Sequence, residues 1–148
     1  MKKAIITGIS GQDGSLLAKY LINKKYKVLG LSRRDYDSNY FWRLGAYKDK
    51  LTIVKVNFED WQNIKKIIDE FKPDEFYHLA AYVSPLINKD IYDVFHSNLF
   101  STLNIIQLLK NSKIKFKLFI AGSCLMFSSK NKKLCTEESN IITTTPNS

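Results

Sequence analysis

Short apolar runs alternate along this chain with longer stretches in which apolar residues recur every three or four positions. The runs at 3–7 (KAIIT), 26–32, 51–56 (LTIVKV), 75–79 (EFYHL) and 116–121 (FKLFIA) predict buried β-strands. Between 60 and 71, Trp61, Ile64, Ile67, Ile68 and Phe71 share one helical face, and Pro73 closes that helix. Between 91 and 109, Phe95, Leu99, Thr102, Ile105, Ile106 and Leu109 do the same over a longer helix. A further helix over 11–23 follows the first strand. This β-α-β-α order predicts a parallel sheet with right-handed crossovers and helices on both faces. The expected fold is therefore α/β, a Rossmann-type doubly wound sheet that stops after about five strands and fills one domain over 1–148. The tail from 128 to 148 is polar and without periodicity.

In such sheets ligands sit beyond the carboxyl ends of the strands. The positions to question are thus 8–13, 32–35, 57–58, 80–82 and 123–125. The first group has the clearest chemistry. Gly8, Gly11 and Gly14 follow a strand and open a helix, in a G-x-x-G-x-x-G spacing that departs from the usual G-x-G-x-x-G. Glycines at such a turn let a diphosphate approach the backbone, and the amides and dipole of the helix N-terminus attract it. Gly8, Ile9, Ser10, Gly11, Gln12 and Asp13 are accordingly the candidate pyrophosphate-binding residues.

The second strand ends LGLSRRD. A cofactor with a free 2′-hydroxyl is usually met by an acidic residue at this point, whereas guanidinium groups suit a 2′-phosphate. Arg33 and Arg34 therefore favour NADP(H) over NAD(H), and Asp35 keeps NAD(H) open.

Charge and composition narrow the field. The 148 residues carry a net charge of +9, but the lysines are scattered in pairs such as Lys24-Lys25, Lys65-Lys66 and Lys132-Lys133. That distribution suits small anions rather than nucleic acid. No run is long enough to span a bilayer, and the apolar run in MKKAIITG is too short for a signal peptide, so no membrane partner and a cytoplasmic location are expected. Cys124 and Cys135 read as free thiols, and with His78 and His96 they show no metal-ligand spacing. His78, inside an apolar strand, reads as a hydrogen-bonded core imidazole.

TGISGQDGS, LSRR, FYHLAAY and AGSCLMF together resemble the extended short-chain dehydrogenase/reductases, over the amino-terminal part of that family's length. The QDGS turn and the Arg pair most resemble the GDP-mannose 4,6-dehydratases. The resemblance implies an NADP cofactor with its pyrophosphate on residues 8–13 and its 2′-phosphate on Arg33 and Arg34. It sets Asn57 and Phe58 beside the adenine, where the family has Asp-Leu, and runs Leu79, Ala80, Ala81 and Tyr82 along the cofactor. It also gives Asn98 a structural bond to the fourth strand, and has Ser123 hydrogen-bond the reacting sugar hydroxyl.

In the implied reaction a Tyr paired with a Lys takes a hydroxyl proton as hydride leaves C4 of the sugar. A Glu then removes the C5 proton, water leaves from C6, and hydride returns there. GDP-mannose would become GDP-4-keto-6-deoxymannose. Here Leu125 stands at the position of the Glu, and Glu137 and Glu138 match a loop rather than that base. The spacing Tyr-x-x-x-Lys occurs only at Tyr20–Lys24, in the first helix. The chain is thus expected to be an amino-terminal, cofactor-binding fragment without turnover of its own. The nucleotide-sugar substrate and any homo-oligomer would belong to a longer protein. Two other readings stay open: a nucleotide-sugar epimerase or reductase, which Leu125 suits, and a non-catalytic dinucleotide-binding module.

Overall fold

The computed structural model describes residues 1–35, 39–82, 91–123, 126–127 and 134–141. Five parallel strands, β1 (Lys3–Thr7), β2 (Lys27–Ser32), β3 (Thr52–Lys55), β4 (Glu75–His78) and β5 (Lys117–Ile120), form one sheet in the order β3-β2-β1-β4-β5. The order reverses at β1, so the crevice where ligands bind in such sheets opens beside the end of that strand.

Alternation along β1 builds two cores. Ile5 packs with Leu29, Phe76, Ile64, Ile68 and Ile105 on one face. Ala4 and Ile6 pack with Ile9, Ala18, Leu21 and Val28 on the other. The first face is covered by α2 (Trp61–Phe71) and α4 (Ser101–Asn111), the second by α1 (Gln12–Asn23). Asp60 starts α2 by accepting the Asn63 amide at 3.0 Å, and Lys72 ends it in the left-handed region just before Pro73.

Two connections differ from the sequence expectation. Between β2 and β3 runs a 3-10 segment, Trp42–Lys50, broken at Gly45 (φ +53°). Its Leu44, with the preceding Phe41, is completely buried in the second core. Such a short piece carries no apolar period for a sequence pattern to reveal.

The expected helix over 91–109 is α3 (Ile91–Val94), a π-helical stretch (Phe95–Phe100) and then α4. A π turn takes one residue more than an α turn, so the apolar face before it is not continuous with the face after it. Ile105 and Leu108 reach the core, while Phe95, Leu99 and Ile106 remain exposed. Among the described residues, no helix is long and apolar enough to cross a membrane.

Candidate cofactor site

The turn after β1 is shaped by what its glycines lack. Gly8 has φ +69°, and a Cβ there would lie 2.9 Å from the carbonyl of Leu79 and the amide nitrogen of Ala80. At Gly14 a Cβ would lie 2.3 Å from the Gly8 carbonyl oxygen. The turn is therefore pressed between the end of β4 and the first turn of α1, with room for backbone only. The Gly11 amide donates to the Gly8 carbonyl at 2.9 Å and closes the loop.

Gly11 is the N-cap of α1, and no side chain caps the helix. The first-turn amides and the positive end of the dipole are thus directed at the cleft. Ile9 contributes backbone to this wall, but its side chain belongs to the core and fills the space left by Gly30 on β2. A Cβ at Gly30 would meet Ile9 Cγ1 at 2.7 Å.

The cleft beyond these strands measures about 660 Å³. Its walls include every candidate from 8 to 13, together with Arg33, Arg34, Phe58, Leu79, Ala80 and Ala81. At one end Arg34 is held twice. Its amide donates to Ser32 Oγ at 3.0 Å, and its guanidinium carbon lies 3.8 Å from the centroid of the Tyr40 ring. Arg43, stacked on Trp42 at 4.3 Å, lines the same cleft. Asp35 is not part of its wall; its carboxylate accepts from Lys55 Nζ on β3 at 2.7 Å.

Beneath the cleft, Thr7 Oγ1 accepts the amides of Leu79 at 3.1 Å and Ala80 at 3.0 Å. Its proton therefore goes to His78 Nδ1, 2.9 Å away, which leaves the proton of the neutral imidazole on Nε2. Nε2 faces Ser101 Oγ at 3.4 Å, and that hydroxyl donates to the Ser97 carbonyl at 2.5 Å. Burial lowers the His78 pKa to about 4, so the ring is neutral at physiological pH. This is the core imidazole that the strand pattern predicts.

Asn57 and Tyr82 do not line the main cleft; they line an adjoining cavity of about 140 Å³ that shares Arg33, Phe58 and Ala80 with it. Asn57 Oδ1 accepts the Glu59 amide at 3.1 Å. The Asn98 carboxamide accepts from the Tyr82 amide at 2.6 Å and donates to its carbonyl at 3.1 Å. The expected tie between the long helix and the fourth strand thus reaches the segment just past β4.

Ser123 lies beyond β5, half-buried and outside both cavities. Leu125 and Cys124 are outside the described residues. Tyr20 and Lys24 lie with Met1, Tyr26 and Glu75 at the opposite, amino-terminal ends of the strands. No cluster of His, Cys, Asp and Glu among the described residues could hold a metal ion.

Sequence reasoning missed Asn39, Tyr40, Trp42 and Arg43, all of which line the cleft. Aromatic residues and an arginine soon after the Arg pair, in a segment with no periodicity, were the only signal.

A family model for GDP-mannose 4,6 dehydratase matches residues 5–148. The chain belongs to this family. A relative of the GDP-mannose 4,6-dehydratase family from Arabidopsis thaliana, GDP-mannose 4,6 dehydratase 1, is 32% identical over 141 residues, which cover 86% of this chain and 39% of that protein. The chain thus spans well under half the length of that relative. Among solved structures, the UDP-glucose-4-epimerase of Stenotrophomonas maltophila, with bound NAD, superposes with a TM-score of 0.84 at 18% identity over 99% of this chain and 44% of its own. The Bordetella bronchiseptica enzyme WbmH, in complex with NAD+, gives 0.63 at 30% identity over 77% of this chain and 36% of its own.

Proposed function

We propose that this cleft binds NADP(H) and forms the cofactor-binding part of a GDP-mannose 4,6-dehydratase. The observation that carries the reading is the backbone cradle at Gly8, Gly11 and Gly14. Side chains are excluded there by 2.3–2.9 Å contacts at Gly8 and Gly14, and the helix behind it has no side-chain cap. A diphosphate fits such a cradle by charge and by close approach.

Arg33 and Arg34 supply charge-assisted bonds to a 2′-phosphate. Asp35, the acidic residue that directly follows the Arg pair, faces Lys55 in an exposed ion pair and does not line the cleft, which is in keeping with NADP(H). Leu79, Ala80 and Ala81 present backbone and small side chains along the middle of the cleft, and Phe58 gives the base an apolar neighbour.

When bound, the nicotinamide supplies hydride transfer to and from a nucleotide sugar. In that reaction Ser123 would hydrogen-bond the reacting hydroxyl. The only Tyr-x-x-x-Lys spacing in the chain lies at the wrong ends of the strands for proton transfer at the cleft. These 148 residues are therefore expected to bind cofactor without turning over substrate.

Titration with NADPH and NADH, followed by quenching of Trp42 fluorescence, tests the reading. NADPH is expected to bind about tenfold more tightly than NADH, and the preference to fall as salt rises. Failure of both nucleotides to bind would overturn the cofactor site, and equal affinities would overturn the choice of NADP(H). Formation of a 4-keto-6-deoxy sugar by this chain would overturn the expected lack of turnover.

A further inference from the structure

We propose that Tyr40 is a positioning residue for cofactor selection: its ring holds the Arg34 guanidinium in the orientation that meets a 2′-phosphate. The inference rests on the NADP(H) reading above and adds to it a residue that no sequence motif marks.

An exposed arginine samples many rotamers, and ordering them on binding reduces affinity. Arg34 is restrained at both ends before any ligand arrives. Ser32, itself buried, fixes its backbone amide through Oγ at 3.0 Å. Tyr40 covers the guanidinium, whose carbon lies 3.8 Å from the ring centroid.

Stacking engages the face of the guanidinium and leaves its N–H donors free along the edge, in the plane a phosphate needs. No carboxylate among the described residues pairs with Arg34, so the edge is not neutralised by one of them. The nearest acidic neighbour in sequence, Asp35, is bonded to Lys55.

The location of the ring is itself determined by the core. Tyr40 is half-exposed, but the next residue, Phe41, and then Leu44 are completely buried against the sheet. The ring is therefore carried on an anchored segment, and it lines the same cleft as Arg33, Arg34 and Arg43.

A ring at this point could instead stack on the adenine base, and that role has a different signature. Support for the base affects NADH and NADPH alike, whereas positioning of Arg34 affects only the nucleotide that carries the 2′-phosphate.

The test is binding of NADPH and NADH to the full chain and to its Tyr40→Ala, Tyr40→Leu, Tyr40→Phe and Arg34→Ser variants. Thermal unfolding of each variant confirms that it folds. Tyr40→Ala is expected to weaken NADPH about fivefold and NADH less than about twofold, and Tyr40→Phe to bind both as the parent does. Tyr40→Leu, which keeps an apolar side chain without the ring quadrupole, should follow Tyr40→Ala and serves if the alanine variant is unstable. In an Arg34→Ser background, Tyr40→Ala should have no added effect on NADPH, because the two residues act as one unit.

Equal losses for both nucleotides, or no loss for NADPH, would overturn the role of Tyr40 while leaving the cofactor site intact. Absence of binding by the parent chain would overturn the cofactor reading, and this inference with it.

Discussion

Thr7 and His78 are locked together across neighbouring strands, Oγ1 to Nδ1 at 2.9 Å, and the bond has a single direction. Both lone pairs of the hydroxyl are taken by the Leu79 and Ala80 amides, so only its proton is left for the imidazole. The residues that line the middle of the cleft are thereby tied to β1 through one side chain, and that side chain depends on a neutral histidine.

The first prediction concerns acid. The folded-state pKa of His78 is depressed to about 4 by burial, against an ordinary value of 6.5. Between those values the unfolded chain binds the proton and the folded chain does not, so stability rises with pH across this window. The contribution is fully present above pH 6.5 and is lost as pH falls towards 4, amounting to on the order of 3 kcal/mol. Urea unfolding of the parent and His78→Gln should show a shallower pH slope in the variant over this window. Equal slopes would show that His78 is not the group responsible.

The second prediction separates strain from collision. Gly45 combines φ +53° with ψ −134°, a conformation that favours glycine, and has open space where a Cβ would be. Gly45→Ala should therefore cost backbone strain alone, on the order of 1–3 kcal/mol, and leave nucleotide binding in place. Gly8→Ala adds contacts at 2.9 Å with immovable backbone, and should cost about 3 kcal/mol or more while abolishing nucleotide binding. Denaturation midpoints and NADPH titration of the two variants provide the comparison. A Gly8→Ala protein that still binds NADPH with parental affinity would remove the cradle from the site.

The third prediction concerns the tie behind the cleft. Asn98→Leu removes both side-chain bonds to the Tyr82 backbone and should lower stability by about 1–3 kcal/mol. Asn98→Asp keeps an acceptor for the Tyr82 amide but sets a carboxylate against its carbonyl, so it should not restore the loss. Denaturant unfolding of both variants decides it, and a leucine variant as stable as the parent would exclude the anchor.

What could be read from the sequence was what is local. The strands around Ile5, Leu29 and Phe76 announce themselves by short apolar runs, and the Gly8–Gly14 turn by residues that follow one another directly. The stack of Tyr40 on Arg34 was not legible, because the crossover between β2 and β3 carries no periodicity to orient either side chain. The single face that groups Phe95 and Leu99 with Ile105 is interrupted in the structure, because an ideal α period does not anticipate a π turn. Asn57 and Tyr82 follow strands as expected, but the bonds that hold them, from the Glu59 amide to the Asn57 side chain and from Asn98 to the Tyr82 backbone, carry no signal in the sequence.

The Ile9 side chain, seated where a Cβ at Gly30 would lie, keys the turn after β1 into the neighbouring strand. In the proposed site the grip on a diphosphate would lie in that main chain, whereas the preference for one nucleotide would lie in exposed side chains on the rim. On that reading, substitutions at a handful of rim positions would exchange one dinucleotide for another while leaving the packing of Ile9 against Gly30 in place.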